Sequence, residues 1–120
     1  MLKNTAMKTF RFTKTLVLLI SVFTLTVSAN AQECGNITLS SQADVDAFNC
    51  ITITGNLIIN GADITDISPL TYLTSVGGFL YVANNYSLAN LNGLSSLTVV
   101  GGPLFILSNT SLSEFCGLYP

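Results

Sequence analysis

The sequence predicts a mainly β fold: a short parallel β-helix, or solenoid, of about three coils of 23–24 residues each, with a strand–helix cap at its amino end. Three observations predict it. A unit of 24 residues recurs along the second half of the chain, as in Val76-Gly77-Gly78-Phe79-Leu80-Tyr81-Val82 against Val100-Gly101-Gly102-Pro103-Leu104-Phe105-Ile106. Within that unit the apolar positions first alternate with a period of two, as on a strand, and then recur every three. Of 120 residues, 49% are hydrophobic and only 8% charged, which excludes a disordered chain.

The first element is an address. All four basic residues, Lys3, Lys8, Arg11 and Lys14, precede the apolar run Leu16–Val27, which ends in Ala29-Asn30-Ala31. That order is a secretory signal peptide, residues 1–31, with cleavage expected after Ala31. Met7 could equally serve as the start. A membrane anchor is the rival reading, but it needs about 20 apolar residues, and Ser28, Asn30, Gln32 and Glu33 close this run too early.

Beyond residue 31 the chain holds six carboxylates (Glu33, Asp44, Asp46, Asp63, Asp66, Glu114) and no Lys, Arg or His, a net charge of −6. A surface without cations cannot neutralise phosphates, so nucleic acid, anionic lipid and acidic polysaccharide are poor partners. Three cysteines remain for an oxidising compartment. Cys34 with Cys50 closes a loop of about 17 residues, worth roughly 3 kcal/mol, and is favoured because it clips one short segment. Pairings of either with Cys116 stay open.

Residues 32–52 read as the cap. Asn36–Leu39 suits a strand and Ser41–Phe48 a short helix, with Ser41 as N-cap, Asp44 at the third helical position of a capping box, and Val45 and Phe48 on one side.

Residues 53–120 form the repeat region. Leu57 and Ile59, Leu80 and Val82, and Leu104 and Ile106 are the inward positions of one strand per coil. Leu88, Leu91, Leu94 and Leu97, preceded by Ile64, Ile67, Leu70 and Leu73, suit a wall that turns a corner better than a long helix. The glycines before each strand are expected to take positive φ. Asn85 and Asn109 occupy equivalent turns and are expected to form an inward ladder of two rungs. The sequence breaks off in mid-coil at Leu118-Tyr119-Pro120, which predicts a bare apolar edge and self-association through it.

Val-Gly-Gly before each strand and Asn-x-Ser-Leu after it resemble the receptor L domain, the leucine-rich-repeat-like, right-handed β-helix of insulin- and EGF-receptor ectodomains. The opening Ser41-Gln42-Ala43-Asp44-Val45-Asp46-Ala47-Phe48-Asn49-Cys50 is similar to that of bacterial secreted proteins built from the same repeat. The resemblance covers roughly residues 34 to 120 and implies a right-handed leucine-rich-repeat-like coil and a binding role, since the receptor domains hold protein ligands. It implies no binding residue, because no residue here matches a receptor contact.

Chemistry has little material. Without a cation, no Ser, Thr or Cys has an ordinary base and no oxyanion has a holder, so no enzyme is expected. Asp63 and Asp66, three apart beside Asn60, read as solvated turn acids rather than a general acid/base pair, with a carboxylate hydrolase as the remote alternative, and the spacing of Asn60, Asp63 and Asp66 matches no calcium loop; neither a metal nor a cofactor is expected. Asn36, Asn85 and Asn109 begin N-glycosylation triplets, silent in a bacterium. The outward positions stand out instead: Phe79, Tyr81 and Ala83 beside Pro103, Phe105 and Leu107, with Asn56, Ile58 and Asn60 before them. Phe79, Tyr81 and Phe105 are the candidate binding residues, for protein or neutral glycan. The expected function is a secreted or cell-surface, non-catalytic binding module, or alternatively a structural repeat of a larger adhesin-like protein.

Overall fold

The computed structural model describes residues 32–118; the predicted signal peptide lies outside them. Eight strands run β1 (Glu33–Cys34), β2 (Ile37–Leu39), β3 (Thr52–Ile53), β4 (Leu57–Ile59), β5 (Ser75–Val76), β6 (Leu80–Ala83), β7 (Val99–Val100) and β8 (Leu104–Leu107). The helix α1 (Gln42–Asp46) follows β2, and 3₁₀ turns occupy Ser68–Tyr72, Asn92–Leu94 and Cys116–Leu118. Two four-stranded parallel sheets result, one in the order β1-β3-β5-β7 and the other β2-β4-β6-β8.

The register follows the repeat. Leu57 pairs with Leu80 and Leu80 with Leu104, while Ile53 pairs with Val76 and Val76 with Val100. The residues of each unit therefore lie above their counterparts in the next. Leu57, Ile59, Leu80 and Val82 point to one interior, with Ile64, Ile67, Leu70, Leu73, Leu88, Leu91 and Leu94, and all are buried. The period of three is met by the 3₁₀ turns, whose three residues per turn bring every third side chain to one side.

Four details differ from the sequence reading. Each unit carries two strands rather than one, because the chain bends at the Gly pair and pairs on both sides of the bend. Segment 32–52 supplies β1 and β2, the first strand of each sheet, so it continues both ladders as well as carrying α1. No described glycine has positive φ; the residues that do are Gln32, Asn84 and Ser108. Glycine is required by closeness: a Cβ on Gly77 would collide with the Thr54 carbonyl, and one on Gly101 with that of Gly77. Finally, Ala83, in the outward register with Leu107, is nonetheless buried.

The amino end of the stack is closed. Val45 of α1 is fully buried and Phe48 packs against the core. Ser41 caps the helix, its Oγ accepting from the Asp44 N–H at 3.2 Å. The Asp44 carboxylate reaches past the cap to the Ser40 N–H and hydroxyl, each at 2.9 Å, and these bonds hold its pKa below the ordinary value. Cys34 and Cys50 form the disulfide, with Cα atoms 6.0 Å apart, and tie β1 to the end of this segment. The carboxyl end is different. Leu104 stands in register with the buried Leu57 and Leu80 yet is 46% exposed, since among the described residues β8 pairs with β6 alone.

Candidate binding surface

The outward side of the second sheet is the surface on which the sequence places the binding residues. In β4, β6 and β8 the side chains of Ile58, Tyr81 and Phe105 alternate with inward neighbours and share one register row. The Tyr81 and Phe105 rings lie 6.1 Å apart at 58°, a tilted pair within the usual range for stacked aromatics on adjacent strands. Ile58 and Tyr81 are half-buried; Phe105 is exposed. Phe79 is also half-buried and sits at the bend before β6. The row therefore combines Tyr81 and Phe105 directly, while Phe79 stands at its start.

Both ends of the strands that carry the row are flanked by asparagines. After the strands, the expected ladder is present. Asn85 is fully buried; its Oδ1 accepts from the Gly61 N–H at 2.8 Å, and its Nδ2 donates to the Ile59 carbonyl at 3.0 Å and to Asn109 Oδ1 at 3.0 Å. Asn109 repeats the pattern, accepting from the Asn85 N–H at 2.9 Å and donating to the Val82 carbonyl at 2.9 Å. The first unit has Gly61 at this position because a side chain there would strike the Ser40 carbonyl.

A second ladder, before the strands, escaped the sequence reading. Asn36 Oδ1 accepts from the Asn56 N–H and Asn56 Oδ1 from the Phe79 N–H, both at 2.9 Å. Phe79 has no acceptor to offer, and the residue in its place one unit on is Pro103, which has no N–H to satisfy. The positions 36, 56, 79 and 103 are unevenly spaced, which hid them, but the matched pair of Phe and Pro was a usable signal.

Asn84 and Ser108 take the left-handed conformation, φ 59° and 54°, and end their strands there. Asn84 Nδ2 donates to Asn60 Oδ1 at 3.4 Å, and the exposed Tyr86 hydroxyl meets Asn84 Oδ1 at 3.4 Å. Tyr86 thus adds an exposed phenol in the turn after β6.

Asp63 and Asp66 are occupied in folding. Asp63 Oδ2 accepts from the Gln42 N–H at 3.1 Å, and Asp66 from the Ser68 N–H and hydroxyl. Gln42 bridges α1 to the first unit: Oε1 accepts from the N–H groups of Thr65 and Asp66, and Nε2 donates to the Asp66 carbonyl. Asp63 and Asp66 therefore serve separate turns rather than one facing pair. Among the described residues, no cluster of His, Cys, Asp and Glu is arranged to hold a metal. Of the glycosylation triplets, Asn85 and Asn109 have both amide atoms engaged inside the ladder.

An apolar recess of about 370 Å³ is formed by Phe48, Ile51, Pro69 and Tyr72 with Gln32, Asn49 and Cys50. Charged groups are absent from its lining. Cys116 is a free, exposed thiol.

Parallel strands in two sheets, in-register apolar stacks and an outward row of Ile58, Tyr81 and Phe105 define a repeat domain. The receptor L domain model matches residues 49–114, more than half of the chain, and the chain belongs to that family. It is thus of the ligand-binding module type. No curated protein and no solved structure matches it. None of the described helices is long and apolar enough to cross a membrane; the disulfide and the family are both compatible with an extracellular place.

Proposed function

We propose that the chain is an exported, non-catalytic binding module: a right-handed solenoid of about three coils that takes a protein or neutral glycan on its outward face. The observation that carries this reading is the row Ile58–Tyr81–Phe105, in register on three successive strands and with no cation or carboxylate among its members. Aromatic faces on a flat sheet suit sugar rings or apolar side chains, and the absent cations turn away anionic partners. The basic and apolar opening of the chain supports export, and the capping segment Ser41–Cys50 supports the bacterial secreted type.

The test is a screen of neutral glycans and immobilised surface proteins, followed by the Tyr81→Ser/Phe105→Ser double variant on whatever binds. Loss of binding, with the circular dichroism unchanged, supports the row. Undiminished binding removes it. A second reading, a structural repeat of a larger surface protein, is favoured by the exposed Leu104 in a register of buried leucines. It predicts further units of about 24 residues in the adjoining gene sequence.

A further inference from the structure

The residue that export exposes carries its own reactive partner. Cleavage after Ala31, the site set by the basic opening, the apolar run and Ala29-Asn30-Ala31, leaves Gln32 as the first residue. The α-nitrogen of an amino-terminal glutamine can reach its own side-chain carbonyl carbon, Cδ, and closes with it a ring of the same size as proline's. The nitrogen lone pair forms the N–Cδ bond and the Cδ–Nε2 bond breaks. The amide nitrogen leaves as ammonia, taking the proton that the α-nitrogen gives up. No oxidant, metal or co-reactant enters, and the product is a neutral lactam, pyroglutamate.

Gln32 is held in the form that the ring takes. Its φ is 93°, in the left-handed region that a residue with a side chain adopts only at a cost. Proline's ring fixes φ at about −65° and so sets its own ring carbon on the nitrogen at about +115°, and a lactam of that size places Cδ alike. The acyl carbon on the Gln32 nitrogen therefore stands close to the direction in which ring closure puts it, and what costs the open chain is the ring's own geometry. The Gln32 carbonyl accepts from the Ile51 N–H at 2.7 Å and from the Thr52 N–H at 3.2 Å. Ring closure alters only the nitrogen and the side chain, so both bonds survive it.

The surroundings favour the neutral product. Gln32 lines the apolar recess with Phe48, Ile51, Pro69 and Tyr72; an ammonium against those walls gives up hydration, and no carboxylate is among them to pair with it. Beyond residue 31 the chain has no Lys, Arg or His, so the α-ammonium is the sole cation that export leaves. We propose that Gln32 is a modification site: once exposed by cleavage it cyclises to pyroglutamate, and the exported chain carries no positive group at all. The ring closes the amino end to aminopeptidases, which need a free α-amine, and completes the exclusion of anionic partners. The proposal rests on the export reading and is independent of what the outward row binds.

Mass spectrometry tests it, on the chain expressed from Met1, recovered outside the cytoplasm and held at neutral pH until its mass is constant. After reduction, the expected mass is that of residues 32–120 less one ammonia, with the loss carried by the peptide 32–43 that cleavage before Asp44 releases. Sequencing from the amino end is blocked until pyroglutamyl aminopeptidase removes the first residue. Gln32→Asn, one methylene too short for the ring, keeps its ammonia and a free amine, and the parent focuses at a more acidic pH than this variant. A chain that starts at Gln32 with its amine free overturns the inference and leaves export standing, as does a loss of ammonia that persists in Gln32→Asn. A cleaved chain with another first residue overturns it too, and an uncleaved chain overturns the export reading with it.

Discussion

Asn85 shows how much one side chain can settle. It is the buried polar residue of the core, and its amide serves a backbone donor of one unit, a backbone acceptor of the same unit and the asparagine of the next. Removing it strands the Gly61 N–H and the Ile59 carbonyl away from water, and each such group costs roughly 1–3 kcal/mol. Asn85→Ala is therefore expected to lower unfolding stability by about 3 kcal/mol or more, as urea denaturation would measure. Asn109→Ala is expected to cost less, since Asn109 is half-buried and water can replace part of its bonding. Equal losses would mean that burial does not set the cost. This ladder was legible because its members are 24 apart and flanked alike; Asn36 and Asn56 also sit in matching Gly-Asn-apolar stretches, but at 20 apart they fall outside the 24-residue register.

Among the elements, the strands at Leu57, Leu80 and Leu104 and the helix after Ser41 were readable, because each shows its period or its cap within a few residues. The two-residue strands β1, β3, β5 and β7 were not. Two residues carry no period, and their pairing is fixed by the bend at Gly77 and Gly101, where backbones approach too closely for a side chain. The segment carrying α1 depends on one covalent tie. Cys50 is buried and joined to β1, so a Cys34→Ser/Cys50→Ser variant loses the loop constraint of about 17 residues, worth roughly 3 kcal/mol. Thermal unfolding under oxidising conditions would show it. A variant as stable as its parent would mean that packing of Val45 and Phe48 holds this end unaided.

At the scale of the molecule, the candidate surface was legible in outline: alternation along a strand assigns Tyr81 and Phe105 to the outside, and the repeat aligns them. Ala83 shares the outward register of Leu107 and lies outside the core cluster, yet it is buried, because its side chain is small enough for its neighbours to cover. Exposure at the last described unit has a simple cause too: an inward side chain is covered by its own unit and by the units on either side, and among the described residues β8 has a neighbour on one side only. The same asymmetry bears on the outward row, whose most exposed member, Phe105, lies on β8.

The claim beneath all of them is that residues 23 or 24 apart stack directly above one another, leucines within and aromatics without. A nuclear Overhauser spectrum of the labelled protein tests that most directly. Cross-peaks linking Leu57 to Leu80 and Leu80 to Leu104, together with contacts between the Tyr81 and Phe105 rings, are the predicted result. Contacts of Leu80 confined to residues three and four positions away, with none to its counterparts in the neighbouring units, would contradict it.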